Sequence, residues 1–465
     1  MIHQQSYGQL RDQYGQGQLS PLDVTESALA HAAGADRELN AFALIDRERA
    51  LASARQSETR WRRGEQKSAI DGMPVSIKEF AAVRGWPTRR GSVVTPSTAA
   101  AASAVFVQRI EDAGGVLIGK TRAPEFNWKG VTDSVGYGVT RNPWNLALTP
   151  GGSSGGCAAV VAAGVVRVSM GSDAGGSVRI PAAFTGTLAL KPTFGRIPVA
   201  PLPSAFHNVV HVGPIAASVA ELADMMGVVA GASVHDWTSV GLETRTTQGA
   251  VAKLRIGLLS PSRWSDSAQA VKDGMREVLD LMSNSGFEIE EVDFDVRGAS
   301  AIGACLYRQG CLAVLDSLAA QDLAHIDQEF IRFARVGEGA TVPQLSEVLR
   351  QRDLFANLLS ELLGRVDVLV LPTMPIVAFD AGRNVPAGWN DRDWMSWNPY
   401  TPAFNVTQVP ALSFPVWPRG GKLPVGIQLV AQRAREDKLL HLAGWLEALL
   451  PIRLASHHLH NRSSP

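Results

Sequence analysis

Apolar runs of strand length alternate with segments of helical periodicity along most of the chain. Strands rich in Val, Ile and Leu are predicted at residues 70–80, 115–121, 186–198, 254–259, 287–294, 367–373, 410–415 and 423–430. Helices are predicted at 20–33, 46–64, 102–114, 157–168, 214–231, 266–285 and 436–450, and helices dominate 299–365. This alternation is typical of an α/β fold with helices layered on a sheet.

One predicted strand carries a lysine at its end. Val75 and Ile77 alternate with their neighbours in the pattern of a buried strand, and Lys78 follows directly. Lysine is ordinarily a surface residue. A lysine that a buried strand removes from water is different, because burial disfavours its charged form and can make it a base near neutral pH.

The densest glycine pattern lies between Thr149 and Pro181. Two glycine-flanked serine sites, at 151–156 and 175–177, enclose a run of small apolar residues. Glycine lets the backbone approach a ligand closely, so two such loops in succession predict main-chain N–H groups that face a ligand. We interpret this stretch as an active site and Cys157, among glycine and alanine, as a small packed residue.

The sequence lacks the motifs of several other catalytic and binding sites. The GxSxG motif of serine hydrolases is absent around Ser153 and Ser177, and the glycine loop lacks the Gly-Lys-Ser/Thr of a phosphate-binding loop. His207 and His211 are four residues apart, but no third metal ligand is evident, so we expect neither metal nor cofactor. What remains is a serine hydroxyl activated by a lysine.

The amino-acid composition argues against some classes of binding partner. The 465 residues are 45% apolar and 19% charged, and 44 basic residues balance 44 acidic ones, so the sequence predicts no nucleic-acid partner. No apolar run has the length of a signal peptide or a membrane span. Three scattered cysteines suit a reducing compartment, and we expect a cytoplasmic protein without membrane contact.

Several ordered motifs resemble the amidase signature family. They are GMPVSIKE at 72–79, TPGGSSGG at 149–156, GSDAGGSVRIPAAFTGTLALKPTFGRIP at 171–198, HVGPIAASV at 211–219, LPTMP at 371–375, and PAFNVTQVPALSFP and LPVGIQLV near the C-terminus. The resemblance implies one α/β/α domain over 1–465, in which helices cover a mixed central sheet. It places N-terminal helices in 1–65, the signature core at about 70–200 and a variable substrate-side region at about 300–405.

The same resemblance implies roles for individual residues. Ser177 would be the nucleophile, Ser153 a proton relay that follows a cis peptide bond, and Lys78 the base. The remaining implied roles are an oxyanion hole from the backbone of Ala174, Gly175, Gly176 and Ser177, and support from Ser154, Asp173 and Arg179. Three positions depart from the family pattern: Glu79, Ala217 and Gln408.

The expected function is hydrolysis of a small carboxylic amide, an aryl amide or a carbamate. Trp128 and Trp144 upstream and the tryptophans at 389–397 favour an apolar or aromatic substrate, although Trp389, Trp394 and Trp397 are equally typical of packed core. A glutamine-hydrolysing subunit of a tRNA-dependent amidotransferase shares the signature, and a non-catalytic member of the fold is a third alternative. A homodimer is compatible with the sequence.

Overall fold

The structure is a computed structural model that describes residues 1–201, 209–241 and 250–455. Its strands are β1 Phe42–Ile45, β2 Pro74–Lys78, β3 Val116–Thr121, β4 Asp133–Ser134, β5 Gly138–Val139, β6 Val168–Asp173, β7 Leu188–Lys191, β8 His211–Ala216, β9 Ile256–Leu259, β10 Ile289–Val292, β11 Val368–Pro372, β12 Ala411–Val416 and β13 Val425–Val430. Its α-helices are α1 Tyr7–Gly15, α2 Pro21–Leu39, α3 Arg47–Arg63, α4 Val105–Asp112, α5 Gly155–Ala162, α6 Arg179–Thr185, α7 Val219–Val229, α8 Gln269–Asn284, α9 Ser300–Asp316, α10 Gln328–Arg335, α11 Val342–Arg365, α12 Pro402–Val406 and α13 Glu436–Leu449.

Eleven strands form one mixed sheet in the order β1-β3-β2-β6-β8-β7-β12-β13-β11-β9-β10, and β4 and β5 form a separate pair. β2 runs parallel to both β3 and β6, whereas β6, β8, β7, β12 and β13 are antiparallel to one another in turn. The predicted mixed sheet of an α/β fold is confirmed. A single sheet that spans 42–430 also agrees with the one-domain organisation, which stays a prediction.

Helices cover both faces of this sheet. Alternate residues of the strands point to opposite sides: Leu117 and Leu188 belong to one apolar cluster, and Ile118 and Ala189 belong to the other. The first cluster includes residues of α7, α8 and α13, and the second includes residues of α2, α3 and α5. Burial on both faces explains why these strands read as continuous apolar runs in the sequence.

Most predicted elements form near their predicted bounds. Ser20 caps α2 as expected: its Oγ accepts a hydrogen bond from the N–H of Asp23, whose carboxylate accepts one from the N–H of Ser20. The two C-terminal strands β12 and β13 pair in antiparallel fashion, as predicted. None of the described helices is both long and apolar enough to cross a membrane.

Two helix predictions were wrong in part. The helix predicted at 157–168 ends at Ala162, and Gly164 then turns the chain in the left-handed region at φ 70° before β6 begins at Val168. The helix predicted at 214–231 begins only at Val219, because His211–Ala216 forms β8. In both places the residues are uniformly small or apolar, so the sequence has no periodicity that separates strand from helix.

A third apolar cluster lies beside the sheet and is largely aromatic. We call it the aromatic cluster; its rings are Phe126, Trp128, Phe184, Tyr307, Phe330, Phe333, Trp394 and Trp397. Trp394 and Trp397 are therefore packed, whereas Trp389 is 38% exposed and lies outside the cluster. Ala174, one of the predicted oxyanion-hole residues, packs against it.

Candidate active site

Lys78 ends β2 in the interior of the protein. Its Nζ atom lies 2.7 Å from Ser153 Oγ and 3.0 Å from Ser172 Oγ, and its side chain is fully buried. Burial lowers the pKa of Lys78 to about 7, because the neighbourhood provides few charges that favour the ammonium form. A substantial fraction of the amine is therefore neutral at physiological pH and can accept a proton.

The loop that carries Ser153 precedes α5. The peptide bond between Gly152 and Ser153 is cis, the geometry that the family resemblance implies here. Gly152 lies so close to the neighbouring backbone that an added Cβ atom would be 2.5 Å from the carbonyl carbon of Val131. Only glycine therefore fits at this position. The serine next along the chain, Ser154, donates from Oγ to the carbonyl of Ser172.

Residues 173–179, which we call the serine loop, connect β6 to α6 and carry Ser177. The N–H of Ser154 donates to the carbonyl of Ser177 at 3.0 Å, which joins this loop to the loop of Ser153. Within the described residues the Oγ atoms of Ser153 and Ser177 share no direct hydrogen bond. Hydrogen bonds between catalytic groups are often long before substrate binds, so this geometry does not exclude a relay.

The turn of the serine loop depends on Gly176. Its φ of 125° is a conformation that favours glycine, and an added Cβ atom would lie 2.2 Å from Thr401 Oγ1. Thr401 Oγ1 and Asn398 Nδ2 both donate to the carbonyl of Gly175 at 2.6 Å. These two bonds fix the orientation of the Gly175 carbonyl within the serine loop.

The N–H groups of the serine loop are not equivalent. Gly176 donates to Asp173 Oδ1 at 2.7 Å, so its N–H is already engaged. In residues 1–201, 209–241 and 250–455, no acceptor is hydrogen-bonded to the N–H of Ala174, Gly175 or Ser177. Three of the four backbone donors named from the sequence can thus bind a developing negative charge, and the fourth holds the turn.

Asp173 and Arg179 form a fully buried ion pair behind the serine loop. Arg179 donates to Asp173 through Nε at 3.0 Å and Nη2 at 2.9 Å, and Asn405 Nδ2 donates to Asp173 Oδ1 at 2.9 Å. Burial opposes ionisation of Asp173, but the charge and hydrogen bonds of Arg179 outweigh it and hold the pKa of the carboxyl well below its usual range. Arg179 also donates to Gln428 and to the carbonyl of Thr401.

Four residues of this site were not identified from the sequence. They are Ser172, Asn398, Thr401 and Asn405. Ser172 lies beside Lys78 because β2 and β6 are parallel neighbours, and β6 was not predicted. Asn398, Thr401 and Asn405 are single polar residues among the apolar residues and prolines of the segment NPYTPAFN. Polar groups buried in such a segment need hydrogen-bond partners, and this was the available signal.

Cys157, Gln408 and His211 were also singled out from the sequence and are not among the residues of this site. Cys157 is fully buried beside Thr121 Oγ1 at 3.0 Å, and burial raises the pKa of its thiol, so it is the packed residue that we expected. Gln408 adopts a φ of 63°, which favours the glycine usual in the family. His207 lies outside the described residues, and His211 hydrogen-bonds the carbonyl of Val209.

Several known proteins are similar to this chain over nearly its whole length. A model of the Amidase family matches residues 23–440. A glutamyl-tRNA(Gln) amidotransferase subunit from Chloroflexus aggregans is 32% identical over 92% of this chain and 92% of that protein. A bacterial aryl acylamidase of the amidase signature family superposes with a TM-score of 0.88 at 25% identity, over 100% of this chain and 99% of that one. A chain of a vestigial protein complex that reveals the evolutionary origins of an s-triazine catabolic enzyme superposes with a TM-score of 0.86 at 28% identity, over 97% of this chain and 100% of that one.

Proposed function

This chain belongs to the amidase signature family of enzymes, which act on carbon–nitrogen bonds of amides, and from that premise we propose that it hydrolyses a small amide through a serine acyl-enzyme. The substrate would be a carboxylic amide, an aryl amide or a carbamate. The observation that carries the proposal is the 2.7 Å contact of the buried Lys78 amine with Ser153 Oγ, in a site where the lysine is partly neutral at pH 7.

The proposed first step is a proton relay. Neutral Lys78 accepts the proton of Ser153, and Ser153 accepts the proton of Ser177 while Ser177 Oγ bonds to the carbonyl carbon of the amide. The amide nitrogen leaves with a proton returned along the same relay. Water then attacks the acyl-enzyme, with Lys78 again the ultimate base, and releases the carboxylic acid. Each proton that the lysine accepts is thus returned within one half-reaction.

The serine loop would stabilise the charge that develops on the carbonyl oxygen. The N–H groups of Ala174, Gly175 and Ser177 are the donors to which no described residue is bound as acceptor, and Asp173 and Arg179 hold the loop in place from behind. A single oxyanion donor is typically worth about 100- to 1000-fold in rate. Pre-positioned donors matter because they need no reorganisation as the charge forms.

A panel of aliphatic amides, aryl anilides and carbamates tests this proposal. We expect the purified chain to hydrolyse at least one class and Ser177→Ala to lose about 10⁴-fold or more in kcat/KM. Ser169→Ala is the matched control, because Ser169 is a buried serine of β6 whose hydroxyl hydrogen-bonds Ser76. With a slow substrate, intact-mass spectrometry should detect the acyl group on the wild-type chain and not on Ser177→Ala. Activity retained in Ser177→Ala would show that the nucleophile is another residue.

We propose a second candidate, the glutamine-hydrolysing subunit of a tRNA-dependent amidotransferase. Sequence similarity favours it, because the 32% identical relative belongs to such an amidotransferase and is matched over nearly its whole length. The catalytic steps would be the same, but glutamine would be the amide and a partner chain would receive the ammonia. Glutaminase activity that appears only in a stable complex recovered from the native host would support this candidate. Hydrolysis of simple amides by the isolated chain supports the first.

A further inference from the structure

Arg90 occupies a fixed position at the edge of a cavity near Lys78. Its own backbone is in the left-handed region, at φ 53°, and its carbonyl accepts a hydrogen bond from the N–H of Phe126 at 2.7 Å. Its guanidinium lies over the ring of Phe126, 5.8 Å from the ring centre. Phe126 belongs to the aromatic cluster, against which Ala174 of the serine loop also packs. Arg90 therefore contacts the same aromatic cluster as Ala174, one of the predicted oxyanion-hole residues.

The cavity is small, and Arg90 is the one charged residue among the described residues that line it. Its volume is about 150 Å³, and Phe80, Phe106, Val199 and Pro201 form much of its wall. Phe80 also connects it to the catalytic lysine, because the Phe80 ring centre is 5.7 Å from Lys78 Nζ. That volume corresponds to about five water molecules, which suits one arm of a small substrate.

Arg90 differs from the basic residues around it because it lacks a counter-ion among the described residues. Arg89, the preceding residue, donates to the carbonyl of Val93 and lies over the ring of Tyr137, where Arg122 also lies. The buried carboxylate of Glu79 interacts with Lys120, Arg122 and Arg89. Across the described ranges 1–201, 209–241 and 250–455, the Arg90 side chain has neither an ion pair nor a hydrogen bond.

We propose that Arg90 binds a carboxylate of the substrate, so that the enzyme acts on amides that carry a carboxylate a few bonds away from the scissile C–N bond. The inference rests on the proposed amide hydrolysis and names the substrate class of that site. A guanidinium presents two parallel N–H groups that match the two oxygens of a carboxylate. A cation held partly away from water without a partner is costly, and an anionic substrate removes that cost on binding.

Matched pairs of substrates test this assignment. Each pair has the same chain and the same primary amide and differs only at the far end, as glutaramic acid and pentanamide do. We expect the wild-type enzyme to prefer the carboxylate member by about 10- to 100-fold in kcat/KM, the usual range for a hydrogen-bonded charge pair. Arg90→Met should abolish that preference and leave the neutral amide within about threefold of wild type. Arg90→Lys should restore part of it.

Arg89→Met is the matched control, because Arg89 neighbours Arg90 in sequence but does not line the cavity. It should leave the preference unchanged. Equal rates on both members with the wild-type enzyme, or an equal loss on both in Arg90→Met, would overturn the role of Arg90 while leaving amide hydrolysis standing.

A binding measurement separates this inference from the proposed reaction. In the Ser177→Ala variant, which should not turn over, glutarate is expected to raise the melting temperature, and the additional change Arg90→Met should remove that rise. Glutarate binding that depends on Arg90, together with no hydrolysis of any amide by the wild-type chain, would support the site and reject the reaction. Absence of glutarate binding in both variants would reject the site.

Discussion

Arg179 is fully buried and Arg90 is partly buried, and the two arginines lie in different regions of this molecule. Arg179 makes five hydrogen bonds, to Asp173, Asn405, Gln428 and the carbonyl of Thr401, and the serine loop is built on them. Arg90 lines the cavity, and its guanidinium lies over the ring of Phe126. In the described part of the chain its side chain has no polar partner. The charge of Arg179 stabilises the serine loop, whereas the charge of Arg90 is available to a ligand.

The two environments suggest different roles, catalysis for the region around Arg179 and substrate selectivity for the region around Arg90. A polar group with all its partners fixes the position of neighbouring atoms, as Asp173 and Arg179 fix the backbone donors of the serine loop. A polar group without a partner is unfavourable unless something else provides one. We therefore expect changes in the first region to affect every substrate alike, and changes in the second to distinguish among substrates.

Lys78 provides the strongest test of the expectation that changes near the serine loop affect every substrate alike. Lys78→Ala should lower kcat/KM by about 10²- to 10⁴-fold on every substrate, because it removes the general base. Lys78→Arg keeps a cation but cannot lose its proton near pH 7, so it should be as inactive as the alanine variant. A variant at Lys78 that loses activity on one substrate and keeps it on another would contradict this distinction between the two regions.

The pH dependence gives a second test of the same residue. Lys78 is the base only when neutral, and burial lowers its pKa to about 7, so kcat/KM should rise with pH through that value and level off above it. Residual activity of Lys78→Ala should lack this rise. A wild-type profile that falls between pH 6 and 8 would show that the protonated amine is the active form.

A smaller effect, on stability, is expected from Arg179. Arg179→Met leaves Asp173 buried without its cation, which should cost about 3 to 5 kcal/mol of unfolding free energy in urea titrations. Arg90→Met, which breaks no ion pair among the described residues, should cost less than about 1 kcal/mol. Similar losses in the two variants would mean that Arg90 also has a structural role.

The sign of the pH effect on this pair follows from the pKa of Asp173. Because that pKa is depressed in the folded protein, the stabilisation is complete above the ordinary aspartate value of about 4 and is lost as the pH falls below it. The wild-type protein should therefore lose more stability than Arg179→Met does when the pH is lowered from 5 to 3. Equal losses would assign the acid sensitivity to other carboxyl groups.

The smallest expected effect compares two tryptophans of the aromatic cluster. Trp397 donates from Nε1 to the carbonyl of Asn384 at 2.9 Å, whereas Trp394 Nε1 is buried without a partner among the described residues. Both are almost fully buried in one 3₁₀-helix, Trp394–Trp397. Trp397→Phe should therefore cost about 1 to 2 kcal/mol more unfolding free energy than Trp394→Phe, because it leaves a buried carbonyl unpaired.

A calorimetric or urea-denaturation comparison of these two variants with the wild type provides the measurement. If Trp394→Phe is the more destabilising of the two, the unpartnered N–H has a role in packing that the hydrogen bonds do not show.

Local sequence signals predicted the parts of this protein that depend on local structure. The strand that ends in Lys78, the cap at Ser20 and the paired C-terminal strands follow from periodicity and capping chemistry. The roles of Ser153 and Ser177 came from the family resemblance, and the structure places Lys78 against the first of these serines. Periodicity alone left the identity of the nucleophile open.

What the sequence could not show depends on pairings between distant segments. Part of β8, residues 214–216, was predicted as helix and β6 was not predicted, because only their pairing in the sheet makes these segments strands. Thr401 and Asn405 reach the serine loop from more than 220 positions along the chain. Arg89 and Arg90 are neighbours in the sequence, and only the distribution of carboxylates in space distinguishes their environments.

The parallel pairing of β2 with β6 also determines where residues can be inserted or deleted without moving Lys78. Side chains along a strand alternate between faces, so one inserted or deleted residue in β2 would turn Lys78 toward the opposite layer of helices. The exposed segment at 388–392 is subject to no such alternation, and it is where extra residues would be tolerated. For anyone who wishes to graft a tag, a loop or a new specificity onto this scaffold, the usable sites lie on that segment rather than along the two strands.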